Sequence, residues 1–228
     1  MLLITGTQRS GTSVLSKLLM NLGYDLGTRS WHDDINGGLE SPHICWAMRK
    51  YLDLPGFPFE GFDEWIGNEV EPMDLSELDK KFDVQKFSFL LMNPNFVRTY
   101  LHLRRRKDRF LILTRDPSDV IKSKACTRER VARFYGDHRI LKLDAKTLRK
   151  RFFECLEILN EGSELFSFLL FPDFLQTPRL VYDKITEFGG LDMPWDDFFM
   201  EWDHLIDLGL SHTFKKENED DGKSSQDI

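Results

Sequence analysis

The sequence predicts a three-layer α/β/α fold, with a central parallel sheet and helices on both faces, and three observations carry that prediction. The chain opens on an apolar run, Leu2-Leu3-Ile4-Thr5, which meets Gly6 and, after a short polar loop, an amphipathic stretch beginning at Thr12. A second run, Phe110-Leu111-Ile112-Leu113-Thr114, is apolar on both faces, as a central parallel strand must be. Strand-like and helix-like segments then alternate to the end of the chain, the pattern of βα units.

Taken in order, the first strand is followed by a helix that Asn21-Leu22-Gly23 closes. Tyr24 to Pro42 reads as loop, Ile44 to Leu52 as helix, and Asp74 as the cap of a short helix over 75–82. Between them, 53–72 interleaves Pro and Gly with Phe57, Phe59, Phe62 and Trp65, the composition of a binding loop or of a minor core. The second strand is expected over Phe87–Leu91, ended by Asn93-Pro94, with a helix from Phe96 to Arg106 whose last turn holds Arg104, Arg105 and Arg106. After the strand 110–114, Pro117 takes the first position of the next helix, where its missing N–H costs nothing. The stretch 126–143 is basic and poorly periodic. Lys146 to Leu159 is a helix with Leu148, Phe152, Cys155, Leu156 and Leu159 on one stripe. Phe166 to Phe171 is a fourth strand, Thr177-Pro178 opens a helix stopped at Gly189-Gly190, and Trp195 to Leu208 forms the last one. One domain over 1–214 follows, with a disordered polar tail over 215–228, since Lys215 to Asp227 offers nothing apolar to bury.

Composition bounds the function. At 228 residues the chain suits one core, and its 19 Phe imply aromatic packing or an apolar cleft. A net charge of −7 argues against a nucleic-acid partner. Cys45, Cys126 and Cys155 form neither a zinc spacing nor a disulfide framework, so a reducing compartment is the expectation. No apolar run is long enough to span a bilayer, and strand one begins at Met1, which leaves no room for a signal peptide. A cytoplasmic protein is the expectation.

The chemistry lies in two places. Gly6-Thr7-Gln8-Arg9-Ser10-Gly11-Thr12-Ser13 stands between a strand and a helix, so its backbone N–H groups face an anion at a positive helix end. The spacing is that of a P-loop, but Thr12 occupies the place of the lysine that reaches the transferred phosphate of ATP. Arg9 brings the loop's cation from another direction, with a fork suited to phosphate or sulfate oxygens. The second place is Arg115, at the carboxyl end of the central strand, followed eight residues on by Ser123. An arginine and a hydroxyl so placed can grip a second phosphate.

Together these residues resemble the sulfotransferase family that uses 3′-phosphoadenosine 5′-phosphosulfate. The loop matches the family's 5′-phosphosulfate site in its Arg-Ser-Gly-Thr-Ser form, and Arg115 with Ser123 matches the 3′-phosphate motif. A looser likeness extends through Phe168–Pro178 to Phe188-Gly189-Gly190-Leu191. Two departures stand out. Met92 occupies the place, before Asn93-Pro94, where many members carry lysine, and Phe171-Pro172 replaces a Tyr-Glu pair.

The resemblance implies a P-loop-type α/β fold, no metal, and transfer of a sulfuryl group to a hydroxyl or amine. The nucleotide would be held by Gln8, Arg9, Ser10, Gly11, Thr12, Ser13, Arg115 and Ser123, with Arg9 also stabilising the transferred group. Glu40, in Asn36-Gly37-Gly38-Leu39-Glu40, is the first choice as general base, and His32 the second. The acceptor would be a small molecule or glycan. Two other readings compete: a non-catalytic binder of 3′-phosphoadenosine nucleotides, supported by Met92 and Pro172, and an atypical P-loop kinase, which the missing loop lysine opposes.

Overall fold

The computed structural model describes residues 1–7, 9–28, 31–32, 37–52, 73–104, 106–122 and 144–207. Gln8, Ser123, the aromatic loop 53–72, the basic stretch 126–143 and the tail 215–228 lie outside the described residues.

Four strands form one parallel sheet: β1 (Leu2–Gly6), β4 (Val84–Lys86), β5 (Arg109–Thr114) and β6 (Leu165–Leu170), in the order β4-β1-β5-β6. β1 and β5 are central, with Leu3 opposite Phe110 and Ile4 opposite Leu111. Because side chains alternate across a strand, each supplies both faces. Leu3, Phe110 and Ile112 enter one core, and Leu2, Ile4, Leu111 and Leu113 enter the other. The first core is covered by α2 (Pro42–Leu52), α4 (Pro94–Leu103) and α6 (Ala145–Glu161). The second is covered by α1 (Thr12–Asn21), α7 (Pro178–Asp183) and α8 (Trp195–Asp207). The three-layer α/β/α expectation holds.

Local chemistry explains most element ends. Asn93 caps α4 by accepting from the Asn95 N–H at 3.0 Å, with Pro94 at the first helical position. Asp144 caps α6 by accepting from the Thr147 N–H at 2.7 Å. Asp74 accepts from the Ser76 N–H and opens a 3₁₀ turn, Leu75–Glu77, that runs into α3 (Leu78–Lys81). Pro117 starts helix α5, described over 117–122.

Three expectations need correction. The second strand is not Phe87–Leu91 but Val84–Lys86, and Leu90–Met92 is a 3₁₀ turn. Two of the three β4 side chains are polar yet fully buried, so the apolar pattern pointed to the wrong residues. The helix expected to end at Arg106 stops at Leu103, and Arg104 turns to extended backbone with its guanidinium buried. The loop over 24–42 contains a small antiparallel pair, β2 (Trp31–His32) with β3 (Gly37–Gly38).

Candidate functional site

The loop 6–13 lies at the carboxyl edge of the sheet, and its glycines are steric necessities. A Cβ on Gly6 would sit 1.9 Å from the Leu113 carbonyl oxygen, so only glycine lets β1 turn away so close to β5. Gly11 is the residue before α1, at φ 85°, and a Cβ there would meet the Phe174 ring at 2.7 Å. Gly11, at the cap position, has no side chain to cap α1. Its first intrahelical bond runs from the Leu15 N–H to the Gly11 carbonyl, which leaves the first-turn N–H groups pointing out of the helix end. Arg9 takes a left-handed backbone at φ 63°, an unfavourable state for an arginine of the kind found at ligand sites.

Ser10 and Thr12 are buried, and the Ser10 hydroxyl donates to the Thr7 carbonyl, bracing the loop from within. Arg115 ties the loop to the end of β5. Its N–H donates to Thr7 Oγ1 at 3.0 Å and its Nη1 to the Arg9 carbonyl at 3.2 Å. The guanidinium stacks 4.8 Å from the Phe171 ring centroid. Partial burial lowers its pKa from the ordinary arginine value, opposed by the charge of Asp119. Its buried Nε–H has no partner among the described residues, a donor open to an anion. Asp116 beside it is exposed and held ionised by the Ser118 N–H at 2.8 Å, which lowers its pKa.

A lysine that the sequence reading overlooked completes the edge. Lys86 ends β4, next to β1, with its side chain 1% exposed. Its ammonium donates to Ser13 Oγ in the first turn of α1 at 2.8 Å and to the Gly38 carbonyl, and pairs with Glu40 Oε1 at 2.8 Å. Glu40 is itself 4% exposed and accepts twice from Ser88: from the N–H at 2.9 Å and from the hydroxyl. The preceding Leu39 is forced to φ 63°. The Ser41 N–H donates to the Lys86 carbonyl at 2.7 Å, fixing this segment along β4 before Ser41 and Pro42 open α2.

The structure therefore brings Arg9, Gly11, Ser13, Glu40 and Arg115 to one edge, with Ser10 and Thr12 buried beneath it. His32 is placed only as the residue paired with Gly37 in the β2–β3 register. Met92 lies in the 3₁₀ turn after β4 and is buried, while the lysine at the loop is Lys86. Ser88 was the other omission. Both were hidden because the second strand was read three residues late. Among the described residues no group of three or more His, Cys, Asp or Glu can hold a metal, and no helix is long and apolar enough to cross a membrane.

This is an α/β protein with a glycine-bounded helix-end loop at the carboxyl edge of a parallel sheet. Its fold is similar to that of several solved structures. The sulfotransferase domain of the Synechococcus PCC 7002 olefin synthase matches 91% of this chain and 79% of its own, with 17% identity and a TM-score of 0.50. A sulfotransferase domain from the curacin biosynthetic pathway covers 88% of this chain and 76% of its own at 14% identity, TM-score 0.47. A sulfotransferase from Alicyclobacillus acidocaldarius covers 91% and 94% at 21% identity, TM-score 0.46. No protein-family model matches the chain, and no curated protein sequence matches it. The chain has a sulfotransferase-like fold.

Proposed function

We propose that this protein moves a sulfuryl group from 3′-phosphoadenosine 5′-phosphosulfate to a hydroxyl or amine of a small-molecule or glycan acceptor. The observation that carries the reading is the contact of Lys86 with both Ser13 and Glu40, which puts a cation and a carboxylate against the first turn of α1. The residues fit the donor. Uncapped N–H groups at α1 and the left-handed Arg9 suit a 5′-phosphosulfate, and the open Nε–H of Arg115 suits a 3′-phosphate, with Ser123 eight residues on.

Bound there, the donor supplies an activated sulfuryl group, whose S–O bond to phosphate breaks as a new S–O or S–N bond to the acceptor forms. Glu40 takes the acceptor proton, exchanging a hydrogen bond from Ser88 or Lys86 for it. Lys86 is the cation for the charge left on the departing phosphate, and its burial makes that charge count for more than it would in water. Arg9 serves the sulfuryl oxygens.

A non-catalytic binder of the same nucleotide is the second reading, favoured by one observation: Lys86 and Glu40 already satisfy one another inside the fold. Calorimetry with 3′-phosphoadenosine 5′-phosphate and with ATP, with and without magnesium, separates the lineages. Metal-independent binding of the former, lost in Arg115→Ala, is expected; a preference for magnesium-ATP sinks both readings in favour of a kinase. Release of the desulfated nucleotide in the presence of acceptor, abolished by Glu40→Gln, then divides enzyme from binder.

A further inference from the structure

Beside the loop, a cavity of about 210 Å³ opens between the end of β5, helix α5 and helix α6. Its lining is mostly apolar, with Leu91, Met92, Val120, Leu148, Phe152 and Phe153. It reaches Thr7 in the loop and Arg115 at the strand end, and Leu91 and Met92 lie three and four residues past Ser88, the residue that holds Glu40. The cavity thus adjoins the Arg115 half of the candidate site, and the turn that lines it continues the chain from Ser88. Phe153 is 55% exposed at its rim and meets Phe152 edge-on at 6.0 Å.

The rim is charged. Arg149 and Arg151 join Arg115 there against one carboxylate, Asp116, whose pKa Arg149 helps to lower. Arg115 is coupled to Asp119 and serves the nucleotide in the sulfuryl-transfer reading. Among the described lining residues, Arg149 and Arg151 against Asp116 leave positive charge for an acid group on the occupant. The space is small for a ligand site, where roughly 300–1,000 Å³ is usual, so it suits one or two rings rather than a sugar chain.

We propose that this cavity is the acceptor site and that its acceptor is a one- or two-ring aromatic hydroxyl compound carrying an acidic substituent. The body lies on Leu148, Phe152 and Phe153, the acid group meets Arg149 or Arg151, and the hydroxyl turns toward the loop at Thr7. This rests on the sulfuryl-transfer reading for its chemistry, but not for its binding.

The test is fluorescence titration of the full chain with 6-hydroxy-2-naphthoate and with neutral 2-naphthol, each with and without saturating 3′-phosphoadenosine 5′-phosphate. Both probes are expected to bind in the presence of the nucleotide, the acid more tightly. Leu148→Trp fills the space without hollowing the core and is expected to weaken both by at least about tenfold. The double variant Arg149→Glu/Arg151→Glu is expected to weaken the naphthoate by about tenfold while changing 2-naphthol by less than about twofold. Calorimetric affinity for the nucleotide stays as in the parent in each variant. The proposal is overturned if neither probe binds at millimolar concentration, or if Leu148→Trp binds them unchanged. It is also overturned if the nucleotide displaces them one for one, which assigns the cavity to the donor. Nucleotide binding without probe binding ends this proposal alone; probe binding without nucleotide binding ends the sulfuryl-transfer reading and leaves a cavity for aromatic acids.

Discussion

At the amino end of the sheet Arg104 pairs with Asp108 and Glu164, while at the carboxyl end Lys86 pairs with Glu40, and every one of these side chains is less than a tenth exposed. The two clusters share deep burial, yet one joins a guanidinium to two carboxylates and the other an ammonium to one, and they are built for different ends. Arg104 spreads a planar fork over two carboxylates and lies between the Tyr100 and Phe110 rings, 5.6 and 5.2 Å from their centroids. Asp108 accepts also from the Tyr100 hydroxyl at 2.6 Å, and burial beside that carboxylate pushes the phenol pKa well up. All of its members stand where chain enters β5 or β6, so the cluster locks the sheet together. Lys86 instead is a point charge on a flexible stem. One of its partners is Ser13 at an uncapped helix end, and the segment carrying its carboxylate includes a left-handed leucine. Two ion pairs of equal burial thus differ in what they can release: the first is closed on all sides, while the second faces a helix end that has donors to spare.

The largest effect should come from breaking the closed cluster. Arg104→Met leaves Glu164 buried without its cation and Asp108 with only the Met1 ammonium at 3.9 Å, and is expected to cost about 3–5 kcal/mol of unfolding free energy. Denaturant titration reads this directly. Removing all three charges, Arg104→Met/Asp108→Leu/Glu164→Leu, should recover most of the loss, because apolar replacement removes the unpaired charges as well. Nucleotide affinity of the folded fraction should be unaffected. Loss of nucleotide binding without loss of stability would mean that the amino-end cluster serves the site and that the contrast is wrong.

Lys86→Met comes next. Turnover of the sulfuryl donor is expected to fall by about 10²–10³, the usual consequence of deleting a donor to developing charge, while nucleotide affinity falls far less. Stability also drops, because Glu40 loses its partner. Lys86→Met/Glu40→Gln should restore stability, as charge removal does at Arg104, but leave turnover low. Recovery of turnover in that double variant would show both Lys86 and Glu40 to be structural.

This pair of clusters also explains what the sequence could and could not show. β1 and β5 were legible because their partners are the core itself, and an apolar run states that requirement locally. β4 was not, because Gln85 and Lys86 are buried against polar groups far away in the chain: the Leu26 carbonyl for Gln85 at 2.7 Å, and Glu40, Ser13 and Gly38 for Lys86. A buried polar residue whose partner is dozens of positions away looks like a surface residue in the sequence. Arg104 misled in the same way, reading as a helix-end cation when it is the centre of a buried cluster. Glu40 was found by its likeness to a known pattern, but its clamp, Ser88, had no local signal at all.

Ser88 offers a smaller and finer test. Its hydroxyl and its N–H both hold Glu40, and Ser88→Ala removes only the first. Turnover is expected to fall by about tenfold, the value of one hydrogen bond to a charged group, with nucleotide affinity unchanged. Ser88→Thr keeps the hydroxyl and should restore it. A fall that threonine does not rescue would point to packing rather than to the aim of the carboxylate.

The smallest effect belongs to a carboxylate with the same kind of partner and no burial. Asp144 caps α6 through the Thr147 N–H and hydroxyl, and these bonds hold its pKa below the ordinary aspartate value. A depressed folded-state pKa means that the stabilisation is present above the unfolded value and is lost as pH falls through the folded one. Asp144→Ala should therefore lower Tm by about 2 °C near neutral pH, a difference that closes as acid takes the medium below the ordinary carboxylate range. Calorimetric scans of both proteins across that range check the sign. Because α6 carries Leu148 and Phe152, the same variant also asks whether loosening the first turn of that helix reaches the cavity. Unchanged affinity for 6-hydroxy-2-naphthoate is expected, since Leu148 N–H still bonds the carbonyl of residue 144. A Tm change near neutral pH as large as that of Lys86→Met would mean that burial is not what separates the strong clusters from this exposed one.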